Sequence, residues 1–127
     1  MDRLYITLAL LSAVTAASLY VRRREAPAAP DRVDLRELGL ARGTGVGVVG
    51  FSTPYCLPCQ HWEAALAELP VPFMKVDLSE RPELAKRYDV SSTPLILAVS
   101  LADGTVVDAF DGDPERDAVE RLVQLAA

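Results

Sequence analysis

The sequence predicts an α/β domain, a central mixed β-sheet flanked by helices, preceded by one N-terminal transmembrane helix. Three observations carry that prediction. Eighteen uncharged residues lie near the start of the chain, a proline-containing stretch follows them, and from residue 46 onward apolar runs of strand length alternate with helix-periodic segments. On this reading residues 1–24 form a membrane anchor, 25–31 a Pro/Ala linker and 32–127 the folded domain. A chain of 127 residues buries a core without depending on a disulfide for its stability, so its two cysteines are free to be chemical. Lys+Arg 13 against Asp+Glu 18 gives a net charge of -5 with no basic stripe, which excludes nucleic acid as the expected partner.

The anchor is read from Leu4 to Val21, whose length at about 1.5 Å per residue nearly spans a hydrocarbon core of roughly 30 Å. Tyr5 and Tyr20 stand near its ends, where amphipathic rings favour the interface, and Arg22 to Arg24 close it. A cleaved signal peptide competes, because Ala13, Ala16 and Ala17 supply small residues. The charge bias decides for the anchor: Arg3 is offset by Asp2 at the front and the arginines follow the apolar run, the reverse of a secretory signal. The same bias places the domain on the cytoplasmic side of a single-pass cell-membrane protein, with the outer side as the alternative.

Glu25 to Pro30 is the linker, since two prolines in six residues block helix and ladder alike. Asp31 to Leu40 reads equally as a short strand or as helical turns. Val46 to Ser52 is a buried central strand and Leu57 to Leu69 a helix, which Pro70 and Pro72 end. Val71 to Leu78 is the second strand, and Ser79 caps a helix running to about Tyr88. Leu95 to Leu101 is the third strand, Ala102 to Thr105 a turn built on Asp103-Gly104, and Val106 to Phe110 the return strand. Asp111 or Asp113 caps a last amphipathic helix, Pro114 to Leu125, with Val119, Leu122, Val123 and Leu125 available for a core.

The chemistry lies where the first strand hands over to the first helix of the domain, at Cys56-Leu57-Pro58-Cys59. Unsatisfied N–H groups and the positive end of the helix dipole favour an anion there, and the thiolate of Cys56 is one. Cys59, one turn in and facing back, is the more buried thiol and the one that resolves a mixed disulfide. Other uses of the pair fit less well. A loop this short gives a structural disulfide little entropic stabilisation, zinc needs two more ligands where only His61 is near, and Gln60 stands where haem attachment needs histidine. His61 reads as an exposed or partly packed helix residue, and Trp62 as packing or surface.

Phe51 through Cys59, Lys75-Val76-Asp77, Arg81 through Val90, Ser92-Thr93-Pro94-Leu95 and Asp103-Gly104 together resemble the thioredoxin family over about residues 44 to 125. The order and spacing carry the likeness, with Pro94 standing 35 residues after Cys59. The resemblance implies a thioredoxin-like fold in which Cys56 is the nucleophile and Cys59 the resolving cysteine. It further implies that Pro94 is a cis-proline facing the disulfide, and that Tyr55, Leu57, Pro58, Thr93 and Pro94 meet an extended substrate segment. Lys75 resembles a family lysine near the active site, although a solvated strand-end lysine fits the residue as well. Four departures are visible: Gly50 at the place of a buried acid, Leu57 for a glycine, Tyr55 for a tryptophan and Ala64 for a helix-kinking proline. The segment before the central strand is also short for the family's amino-terminal strand and helix.

The expectation is a membrane-anchored thiol-disulfide oxidoreductase without metal or organic cofactor. Its partners are protein dithiol or disulfide substrates, a thiol reductant or reductase, and the membrane through residues 4–21. Two alternatives stand beside it, a membrane-tethered binding module whose cysteine pair does not turn over, and a reductase secreted after signal cleavage.

Overall fold

The computed structural model describes residues 2–25 and 27–126, with the side chains of 18–25 outside the description. Its elements are α1 (Asp2–Glu25), β1 (Val46–Ser52), α2 (Leu57–Ala67), β2 (Phe73–Asp77), α3 (Pro82–Arg87), β3 (Leu95–Ser100), β4 (Val106–Asp111) and α4 (Arg116–Ala126). The four strands form one mixed sheet in the order β2-β1-β3-β4. The β1 and β2 strands run parallel, joined through α2, while β3 pairs antiparallel with both β1 and β4.

Both faces of the sheet are covered, which is why β1 and β3 read as continuous apolar runs and not as alternating ones. On one face Val49 and Phe51 of β1 and Leu95, Leu97 and Val99 of β3 pack with Leu84 and Tyr88 around α3. The other face carries Val48, Ile96, Ala98 and Phe110 against Trp62 and Leu66 of α2 and Leu122 of α4. Trp62 is 1% exposed, so it is core; its ring centroid lies 5.7 Å from that of Phe110 and its Nε1–H donates to the Gly112 carbonyl at 2.7 Å. In α4, Leu122 is buried and Val119 and Leu125 pack at the margin, but Val123 is exposed, which corrects its expected core position.

The segment from Asp31 to Leu40 is neither strand nor helix. Arg32 makes one antiparallel bridge to Thr105, and an irregular turn follows. Asp34 Oδ1 accepts the N–H groups of Arg36 and Glu37, and Leu40 N–H donates to the Leu35 carbonyl past Gly39, whose φ of +84° suits glycine. This turn drops Val33, Leu35, Leu38 and Leu40 onto the α3 face of the sheet. Gly104, at φ +81°, is equally constrained: a β-carbon there would run into the Val33 carbonyl, while Val33 N–H donates to the Gly104 carbonyl at 2.9 Å.

Two capping expectations need correction. Ser79 does not cap α3; the N-cap position is Arg81, and it makes no side-chain cap bond. Ser79 donates both its N–H, at 2.9 Å, and its hydroxyl, at 2.6 Å, to Asp77 Oδ1. The hydroxyl of Ser79, then its N–H, hold the Asp77 carboxyl below its ordinary acidity range. A carboxylate depressed in the folded state adds stability that is present above its unfolded pKa and lost as pH falls through its folded pKa. We therefore expect the urea midpoint of Asp77→Asn to lie below that of the parent near neutral pH and to converge on it in acid. A gap that persists at acidic pH contradicts this account. Asp113, the second expected cap, instead brings Oδ1 within 2.7 Å of His61 Nδ1.

The membrane expectation is not met among the described residues, where no helix is long and apolar enough to cross a membrane. Tyr20 and Arg22 to Arg24 lie outside the described side chains.

Candidate functional site

The β1 strand leaves the centre of the sheet at Ser52, and Thr53 to Tyr55 turn the chain toward α2, with Cys56 N–H donating to the Thr53 carbonyl at 3.2 Å. Cys56 is the N-cap of α2, in extended backbone at φ -91° and ψ 105°. Its Sγ accepts the N–H of Cys59 at 3.2 Å, and Gln60 N–H donates to its carbonyl to begin the helix. Pro58 falls in the first turn, where its missing donor costs no helical hydrogen bond. The side chains of Cys56 and Cys59 are joined in a disulfide, with their Cα atoms 5.2 Å apart. Cys59 is 4% exposed and Cys56 9%, so the first cysteine is the more open of two nearly buried sulfurs.

Beside the pair the surface is apolar. Tyr55 is 98% exposed and Leu57 59%, two large hydrophobic side chains on either side of Cys56. The register places Leu95 opposite Phe51, so Thr93 and Pro94, which lead into β3, reach the same end of the sheet from which β1 departs for Cys56. The Thr93–Pro94 peptide is cis, Pro94 is buried and Thr93 half-buried. Behind Pro94 a small cavity of about 110 Å³ is lined by Ser92, Pro94, Asp111 and the linker residues Pro27 and Ala28. Thus Tyr55, Leu57, Pro58, Thr93 and Pro94 all stand at the Cys56 end of the sheet.

Gly50, in the middle of β1, has no room beside it. A β-carbon there would lie 3.0 Å from Phe73 Cε2 and 3.3 Å from Ile96 Cδ1, so the space of a side chain is filled by two apolar neighbours. Its register partner on β2 is Lys75. Lys75 Nζ lies 2.7 Å from Glu63 Oε1 on α2, and the hydrogen bond and charge of Glu63 raise the lysine above its ordinary range. Glu63 is the residue that sequence reasoning missed, four positions after Cys59 on the same helix; spacing along α2 was the available signal. Ser52 was missed too, as a hydroxyl at the end of an otherwise apolar strand. Among the described residues no group of three or more His, Cys, Asp and Glu is placed to hold a metal.

Residues 39–125 match the Thioredoxin family model. The thioredoxin of Bacillus subtilis is 34% identical over 85 residues, which cover 62% of this chain and 80% of that protein. Thioredoxin H5 of Oryza sativa is 32% identical over 83 residues, but the chain spans only 60% of its length. Among solved structures, a mutant thioredoxin from Halobacterium salinarum superposes with a TM-score of 0.60 at 21% identity, covering 80% of this chain and 96% of that one. The oxidized mitochondrial thioredoxin 3 of Saccharomyces cerevisiae gives 0.57 at 24% identity, over 70% and 86%. At these identities the structural likenesses establish the fold.

Proposed function

The chain belongs to the thioredoxin family, and from that premise we propose that it is a thiol-disulfide oxidoreductase acting on protein partners through Cys56 and Cys59. The observation that carries the proposal is the closed Cys56–Cys59 pair at the start of α2, with Cys56 Sγ accepting a helix N–H. The same N–H and the dipole of α2 are placed to hold a thiolate on Cys56 once the bridge opens.

In the reducing direction the Cys56 thiolate attacks one sulfur of a partner disulfide, forming a mixed disulfide and releasing the partner's other sulfur as a thiolate that takes up a proton. Cys59 then gives up its proton and attacks Cys56 Sγ; the Cys56–Cys59 bond forms and the second partner thiol leaves. Two electrons pass to the partner, and a thiol reductant or reductase restores the dithiol. Oxidation of a dithiol partner is the reverse. Tyr55 and Leu57 offer the partner an apolar footing next to Cys56, and Pro58, Thr93 and Pro94 complete the rim. On this reading the chain is a divergent member, because Gly50 offers no acidic side chain from β1 to take the Cys59 proton, and reduction of protein disulfides is slowed.

Titration in glutathione or dithiothreitol buffers with thiol trapping tests this. A reversible two-electron transition between about -120 and -300 mV is expected, and its position distinguishes reductant from oxidant. A pair that does not cycle sinks the proposal and leaves a binding module as the better account.

We propose further that α1 tethers the domain to a membrane. Every described side chain from Asp2 to Ala17 is exposed, including Leu4, Tyr5, Ile6, Leu8, Leu10, Leu11 and Val14. An apolar helix without a protein partner is stable when lipid covers it. The arginines at 22 to 24 then favour a cytoplasmic domain. Release of the full chain from membranes by alkaline carbonate contradicts the tether, and labelling of the reduced cysteines by an impermeant thiol reagent in intact cells contradicts the side.

A further inference from the structure

Among the described residues one buried side-chain oxygen has no hydrogen-bond partner, the Oγ of Ser52. Ser52 is 4% exposed, and burying a hydroxyl unpaired costs folding free energy. Its place in the sheet says what the hydroxyl meets. Side chains alternate along β1, so Ser52 shares a face with Val48 and Gly50 and not with Phe51. Val48 packs with Trp62 and Leu66, which identifies that face as the one beneath α2.

The buried residues of α2 are Cys59, Trp62 and Leu66, spaced on one stripe of the helix. Because α2 leaves the end of β1 and returns across the same face, its first buried residue lies toward Ser52 and its last toward Val48. The groups already known around Ser52 do not satisfy it. The space beside Gly50, two residues earlier on the same face, is filled by Phe73 and Ile96, which offer no polar atom, and the register partner Asp77 has Oδ1 engaged by Ser79. The backbone carbonyl of Ser52, by contrast, accepts the N–H of Leu78 at 3.0 Å.

In the disulfide the Cys59 sulfur is bonded to Cys56. Reduction frees it as a thiol or thiolate, with a donor or a charged acceptor that the disulfide lacks. Resting on the redox reading above, we propose that Ser52 is a positioning residue for Cys59: its hydroxyl pairs with the Cys59 sulfur in the dithiol form and stands unpaired in the disulfide form. Ser52 thereby biases the pair toward the dithiol and makes the chain a stronger oxidant than it is with alanine at that position.

The test uses the full chain and glutathione. Two glutathione thiols supply two electrons and two protons; the Cys56–Cys59 bond breaks, the glutathione S–S bond forms, and each cysteine sulfur ends with one proton or its equivalent in solution. For Ser52→Ala the equilibrium constant with glutathione is expected to move about five- to tenfold toward the protein disulfide, tenfold corresponding to about 30 mV. Thermal melts of both forms, the dithiol prepared with a phosphine reductant, separate a positioning role from a packing one. The variant's disulfide form is expected to melt no lower than the parent's and its dithiol form to melt lower. Equal shifts in both melts with an unchanged equilibrium constant overturn the proposal. A parent that does not equilibrate with glutathione overturns the redox reading, while the two melts still decide the role of Ser52.

Discussion

Cys59→Ser is expected to accumulate a covalent complex with a disulfide-containing protein such as insulin, visible as a band that dithiothreitol removes. Cys56→Ser is expected to form no such complex, and its exchange rate to fall about a thousandfold or more, the scale on which loss of a covalent nucleophile acts. The asymmetry follows from position. Cys56 is the N-cap of α2, the more open sulfur, and flanked by exposed Tyr55 and Leu57. Cys59 is buried on the inner stripe of the helix, where it reaches Cys56 but not a large partner. Equal trapping by the two variants contradicts the division of roles. Retention of turnover by Cys56→Ser removes Cys56 as the nucleophile.

The second large effect is on stability. Trp62→Ala is expected to cost about 3–5 kcal/mol, the range for deleting a buried tryptophan from a packed core, and to lower the melting temperature by about 15–30 °C for a domain of this size. Trp62 joins α2 to β4 by its tilted ring contact with Phe110 and to the segment after β4 by its hydrogen bond to the carbonyl of Gly112. Trp62→Phe keeps most of the apolar area and leaves that carbonyl without its donor, so about 1–2 kcal/mol is expected. Urea unfolding followed by far-ultraviolet circular dichroism measures both. If Trp62→Ala loses less than Trp62→Phe, the buried ring is not what holds α2 to the sheet.

The sequence settles the order of elements from Val46 to Ala126, because β1 and β3 are continuous apolar runs buried on both faces and turn residues separate the strands from helix-like segments. It also located the reactive pair, since Cys-x-x-Cys between an apolar strand and a helix is a local arrangement needing nothing distant. Where a residue's role depended on a partner far along the chain, local pattern was silent. Asp31 to Leu40 reads equally as strand or helix in the sequence because its backbone is held from far away, at Val33 by Gly104, 71 positions on, and at Asp34 by the Tyr88 hydroxyl, which accepts its N–H at 3.1 Å. Asp113 had the sequence context of a cap, and a histidine on another helix claimed it. Trp62 had equal claims to surface and core until β4 brought Phe110 beneath it. Ser52 looked like the polar end of a strand, and only the return of α2 over that face made its hydroxyl a buried group without a partner. Burial and pairing are properties of two segments at once, and tertiary structure alone supplies the second segment.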